Sequence, residues 1–262
     1  MTVKALTIAG SDPSGGAGVQ ADLKAFSANG AYGMTVLTAL TAQNTQGVTG
    51  VHAVPVSFVA EQLDTLLADI TPDATKIGML ATAELADLVG SYLPRLRLTV
   101  LDPVMVATSG DRLLDEDAVD AIRRLLPLVD LITPNLHEAA VLLDEAPASS
   151  LDTLAAQAER LVALGARRAL VKGGHLDDSA TDLLADAAGV TTLTGQRIAT
   201  ANTHGTGCTL SSAIAALRPQ RPGWGEAVAD AKAYLTDALK AADTLGIGHG
   251  HGPVHHFVRH WS

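Results

Sequence analysis

Seven residues in the last third of the chain, Asn202-Thr-His-Gly-Thr-Gly-Cys208, run straight into an apolar stretch from Thr209 to Leu217. Glycines placed just ahead of such a stretch predict a helix whose first backbone N–H groups point outward, unpaired. Those orphan donors and the helix macrodipole both favour negative charge, so Gly205, Thr206 and Gly207 read as an anion cradle. Cys208, the only cysteine in the protein, closes the turn, where the same field is expected to lower a thiol pKa. It is either a small buried hydrophobe or a general base, or polar guide, for an attacking hydroxyl. A cradle and a candidate base in one turn point to phosphoryl transfer.

Other residues could serve the same chemistry. Lys172 closes an apolar run before Gly173-Gly174, so it is either a solvated strand-end lysine or an ammonium facing a migrating phosphoryl group. Asp102, ahead of Pro103, is a strand-end carboxylate or an acid near metal and phosphate. Asn135-Leu-His-Glu138 reads first as a helix start, with Asn135 as N-cap and Glu138 reaching back to it. A carboxylate there could also orient magnesium-bound water. The loop Gly10-Ser-Asp12-Pro-Ser-Gly-Gly-Ala-Gly18 lets backbone approach a ligand closely, unless it is only a tight turn. Gln43 offers one carbonyl and one amide, matching the edge of an aminopyrimidine. There is no Walker-type lysine loop, and Gly205-Thr-Gly207 lacks the third glycine of a dinucleotide fingerprint. His249, His251, His255, His256 and His260 crowd the tail without a nearby carboxylate or cysteine, which favours a packed or solvated segment over a metal site.

The elements that must position these residues alternate in type. Lys4–Ala9 and Met34–Leu40 read as strands around a helix beginning near Val19. Helical spacing recurs through Val59–Ile70, Leu85–Leu93, Val119–Leu126 and Leu151–Val162, the last stopped by Gly165. Strands are expected at Thr75–Ile77, Leu98–Leu101, Asp130–Thr133 and Ala169–Lys172, with short antiparallel edge strands over Asp182–Gln196. Strand–helix alternation implies a mainly parallel sheet covered by helices on both faces. Ligands of such sheets bind beyond the carboxyl ends of the strands, where Asp12, Gln43, Asp102, Asn135 and Lys172 collect. No linker or internal repeat divides residues 1–262, so one domain is expected.

Apolar residues make up 47% and charged residues 18% of the 262, a globular balance able to bury a core. A formal charge of −10 opposes non-specific attraction to nucleic acid or anionic lipid. One cysteine forms no internal disulfide, and no apolar run is long enough to span a bilayer. The expectation is a soluble, cytoplasmic protein.

Taken together, long segments of this chain resemble the hydroxymethylpyrimidine/phosphomethylpyrimidine kinases of thiamine biosynthesis, members of the ribokinase superfamily. The resemblance rests on Ala9–Lys24, Thr41-Ala-Gln-Asn-Thr45, Lys76-Ile-Gly-Met-Leu80, Leu101-Asp-Pro-Val-Met105, Thr133-Pro-Asn135, Val171-Lys-Gly-Gly-His175, Asn202–Cys208 and Gly252-Pro-Val-His-His256, in that order. It implies a three-layer αβα sandwich, Mg-ATP as phosphoryl donor and a homodimer. It also implies two successive transfers, to 4-amino-5-hydroxymethyl-2-methylpyrimidine and then to its monophosphate. By resemblance Gln43 would hydrogen-bond the pyrimidine with Asp22 near it, Met79 and Val106 would pack the ring, and Gly10 and Asp12 would lie on the substrate side. Gly205, Thr206 and Gly207 would form the anion hole, with Cys208 where ribokinase relatives carry aspartate. Lys172, Asp102, Asn135 and Glu138 would serve the ATP and magnesium side. Thr108 stands where a lysine is expected, in the loop Ala107-Thr-Ser-Gly-Asp111, so Arg112 is a substitute phosphate donor to consider. Rival readings are a pyridoxal or pyridoxine kinase on the same fold, a catalytically silent pyrimidine- or nucleotide-binding regulator, and a thiol hydrolase.

Overall fold

The computed structural model describes residues 1–105, 118–174, 176 and 180–261. Its elements, in chain order, are β1 (Val3–Ser11), α1 (Gly18–Ala28), β2 (Ala31–Asn44), β3 (Gly47–Ala53), α2 (Val56–Asp69), β4 (Ala74–Ile77), α3 (Ala83–Tyr92), β5 (Thr99–Leu101) and α4 (Ala118–Leu125). There follow β6 (Leu131–Ile132), α5 (Leu136–Leu143), α6 (Leu151–Ala163), β7 (Arg168–Lys172), β8 (Asp182–Asp186), β9 (Gly189–Leu193), α7 (Thr206–Leu217) and α8 (Trp224–Lys240).

The strands form one sheet in the order β3-β2-β1-β4-β5-β6-β7-β8-β9. From β2 to β7 every pairing is parallel, while β3, β8 and β9 pair antiparallel at the two edges. The expected edge over 182–196 is present. The edge formed by β3 is an addition: its residues are mostly exposed and interrupted by Gly47 and Gly50, so no buried alternation marks it.

Period-two alternation along β1 shows how the sheet divides its two helix layers. Leu6 and Ile8 pack into the core covered by α2 to α6, through residues such as Val59, Val89, Ile122, Leu142 and Leu161. Ala5 packs into the opposite core, built by α1, α7 and α8 around Phe26, Ile214 and Tyr234. Thr7 hydrogen-bonds to Asp22 of α1. Burying both faces removes apolar surface from water, each Å² worth roughly 25 cal/mol, and explains why β4 and β5 read as continuous buried runs. This is a three-layer α/β fold. β1 is flanked by β2 on one side and β4 on the other, so chain direction across the sheet reverses there, which opens a crevice at the carboxyl ends.

Candidate active site

α7 begins as the sequence suggested. Gly205 is its N-cap with φ +75°, and a Cβ on it would overlap the Gly16 carbonyl oxygen, so only glycine fits. Thr206 donates its N–H to the Thr203 carbonyl at 3.2 Å and its hydroxyl to the same oxygen at 2.6 Å. Among the described residues nothing accepts from the N–H groups of Gly205 or Gly207 outside the helix ladder. A Cβ on Gly207 would lie 3.3 Å from Lys172 Nζ and 3.4 Å from Asp102 Oδ2. The bare glycine therefore brings the start of α7 against an ammonium and a carboxylate.

Asp102 follows β5 and is buried. Its Oδ1 accepts from Thr133 Oγ1 at 3.1 Å and Lys172 Nζ at 3.2 Å, and its Oδ2 from Ser211 Oγ at 3.3 Å. Lys172 ends β7 with its side chain 18% exposed, enough to reach a ligand. Burial alone would lower its pKa, but the Asp102 and Glu138 carboxylates outweigh that and raise it, so the ammonium persists. Asn135 and Glu138 form a capping box: Asn135 Oδ1 accepts from the N–H of His137 and Glu138, and Glu138 Oε2 accepts from the Asn135 N–H at 2.7 Å. Glu138 also faces Lys172 and Asp102. Burial, with the Asp102 charge adding to it, pushes its carboxyl up to about 7 against the opposing pull of Lys172 and two backbone N–H groups. Cap and charged neighbour are thus one residue.

The expectation of a lowered thiol pKa at Cys208 is overturned. Burial is the largest influence and pushes the thiol up to about 11; Asp22 and Asp102 add to it, while Lys76 and the Gly18 N–H oppose it. α1 packs against α7 beside this turn. Beneath lies a pair that sequence reading did not single out. Lys76 Nζ contacts both Asp22 oxygens at 2.9 Å, and Thr7 and Ser212 hydroxyls donate to the same carboxylate. Both partners are fully buried. Asp22 is therefore engaged within the core and is not aimed at the crevice. A lysine inside the buried four-residue strand Ala74-Thr-Lys-Ile77 was the available signal, since an unpaired ammonium there would be prohibitive.

Of the residues expected on the substrate side, Gly10 and Met79 touch: a Cβ on Gly10 would lie 2.6 Å from Met79 Cε. Gln43 lies near the end of β2, where Thr41 Oγ1 donates to Gln43 Oε1 at 3.2 Å and to the Ser11 carbonyl at 2.8 Å. Asp12 is buried and its oxygens are engaged by the N–H groups of Ser14, Gly16 and Ala17, by the Ser14 hydroxyl, and by His204 Nε2. Burial raises its pKa, yet the hydrogen bonds from His204, Ser14 and Ala17 win and bring it down to about 2. Val106, Thr108, Arg112 and the loop Ala107–Asp111 lie outside the described residues.

The tail packs back onto α7. His256 Nε2 lies 3.0 Å from Thr209 Oγ1, and the Tyr234 hydroxyl donates to the His256 carbonyl at 2.8 Å. Burial, then the charges of Lys24, His255 and His204, lower the His256 pKa to about 3. His251 and His260 rings reach the carbonyls of Ala201 and Ala28. Among the described residues no three metal-ligating side chains cluster, and no helix is long and apolar enough to cross a membrane.

Unpaired helix-start amides facing a lysine–carboxylate pair, at the carboxyl ends of a mostly parallel sheet, are an arrangement suited to phosphoryl transfer. Residues 12–255 match the family described as phosphomethylpyrimidine kinase, and the chain belongs to that family. It is 54% identical to the hydroxymethylpyrimidine/phosphomethylpyrimidine kinase of Salmonella typhimurium over 263 residues, covering 99% of each chain. It is 49% identical to the thiamine biosynthesis bifunctional protein ThiED of Geobacter sulfurreducens, over 97% of this chain and 52% of that protein. Among solved structures, an ADP complex of Bacillus subtilis pyridoxal kinase superposes with a TM-score of 0.91 at 36% identity, covering 100% of both chains.

Proposed function

We propose that residues 1–262 act as one kinase domain that phosphorylates 4-amino-5-hydroxymethyl-2-methylpyrimidine, then its monophosphate, in thiamine biosynthesis. The observation that carries the reading is the open start of α7, with Gly207 against Lys172 and Asp102. ATP supplies the phosphoryl group when bound, and Mg2+ offsets its charge. The donor set suits that ion: Asp102 and Glu138 offer hard oxygens, but each is already engaged, by Lys172 and by the Asn135 N–H. They would hold magnesium through water, as it commonly prefers.

Gly205 and Gly207 N–H groups would stabilise charge on the migrating group, with Lys172 neutralising it from the other side. Gln43 would read the pyrimidine edge, and Met79 beside Gly10 would pack the ring. Cys208, its thiol held protonated at neutral pH, would orient the substrate hydroxyl as a polar guide and not as a standing thiolate. The monophosphate is mostly dianionic at neutral pH, so the second transfer has less need of that guide. A homodimer and a cytoplasmic location belong to the same proposal. The test is ADP release with the free pyrimidine, its monophosphate and pyridoxal, assayed side by side with and without EDTA. Turnover of pyridoxal alone would replace this reading with the rival; no turnover of any would end it.

A further inference from the structure

The glycine loop after β1 and the turn before α7 come from opposite ends of the chain, and one side-chain contact joins them. His204 Nε2 lies 2.8 Å from Asp12 Oδ2, with both residues buried. Asp12 is ionised and only accepts, so His204 Nε2 carries the proton of this bond. Asp12 is also the hub of its own loop, since the Ser14, Gly16 and Ala17 N–H groups converge on it. The two backbones touch beside the pair. A Cβ on Gly16 would overlap the His204 ring, and one on Gly205 would overlap the Gly16 carbonyl. A shift of His204 would therefore move the adjacent Gly205 and disturb the amides that follow it.

We propose that His204 and Asp12 are positioning residues for phosphoryl transfer, holding the Gly205–Cys208 turn at a fixed spacing from the glycine loop without touching substrate. This rests on the kinase reading above. Stabilisation of migrating charge depends steeply on donor geometry, so misplacement lowers turnover more than substrate binding.

The experiment measures kcat and KM for ATP and for the hydroxymethylpyrimidine. His204→Ala and Asp12→Ala should each lower kcat about 10- to 100-fold with both KM values within about threefold. The double variant should be no worse than the poorer single one, because the residues act as a unit. His204→Gln, whose amide nitrogen can reach the position of Nε2, should keep at least about a third of the wild-type kcat. Near-UV circular dichroism reports folding; if His204→Ala does not fold, His204→Asn, too short to reach Asp12, takes its place with the same expectation. Unchanged kcat, losses confined to KM, multiplicative losses, or a Gln variant as impaired as Ala would each overturn the inference. If wild-type protein releases no ADP, the kinase reading fails and this one with it. If wild type turns over and the variants match it, only the positioning role falls.

Discussion

Two glycine-rich helix starts meet in this molecule, and they are used in opposite ways. Ahead of α1 the chain brings its own anion: Asp12 takes the N–H groups of Gly16 and Ala17. Neither helix has a side-chain cap in its first turn, but ahead of α7 the Gly207 position meets the Lys172 ammonium. The turn ahead of α1 is filled by the chain's own carboxylate, whereas the amides ahead of α7 are left for an anion from outside. The aspartate at the head of the first loop is what tells the two apart.

Changes at the two turns should differ accordingly. Gly207→Val would push a branched side chain between Lys172 and Asp102, and kcat should fall by about 10³-fold with the circular dichroism spectrum intact. Ser14→Ala removes one of several donors to Asp12 and should cost less than about threefold in the same assay. Comparable losses in both would erase the distinction. Lys172→Met should lower kcat by about 10²- to 10³-fold, a result checked by single-turnover ADP formation. A smaller effect is expected of Cys208→Ala, about tenfold in the first transfer and less in the second. A pH–rate profile breaking at a thiol pKa well below 9 would instead restore sulfur as a true base.

The smallest contrast concerns acid. His256, which supports Thr209 in the first turn of α7, has a depressed pKa, so its stabilisation is present above its unfolded value near 6.5 and is lost as pH falls toward 3. Between pH 7 and pH 5 that loss is about 2 kcal/mol. Asp12 is depressed too, so what it contributes to the first loop persists until pH drops below about 3.8 and toward 2. Urea unfolding at the two pH values, compared with His256→Gln, reads the difference; an equal drop in the variant would remove His256 as its source.

Much of this was legible in the residues. Helical spacing and buried runs marked the alternating elements, and the capping signature at Asn135 and Glu138 appears as written. β3 was missed because glycines and exposure blur its alternation, and α8 because Ala227, Ala231 and Ala238 alternate with the larger Trp224, Val228, Tyr234 and Leu235 on its buried face, which weakens the apolar stripe. Among the candidates, Gly205, Gly207, Lys172 and Asp102 were singled out by type and spacing, and the structure brings them together. What spacing cannot convey is who partners whom. Asp12 with His204 and Asp22 with Lys76 are pairings across the fold, and the rise in the Cys208 pKa follows from depth that no local window records.

The bridge between His204 and Pro253, with the His204 N–H bonded to the Gly252 carbonyl, has a consequence for synthesis. Strands β1 to β9 are all translated before residue 194, yet the turn that follows is braced by residues some fifty positions later. On the ribosome, a nascent polypeptide with its whole sheet already made would still lack the brace, and catalytic competence would wait until Gly252 and Pro253 had emerged.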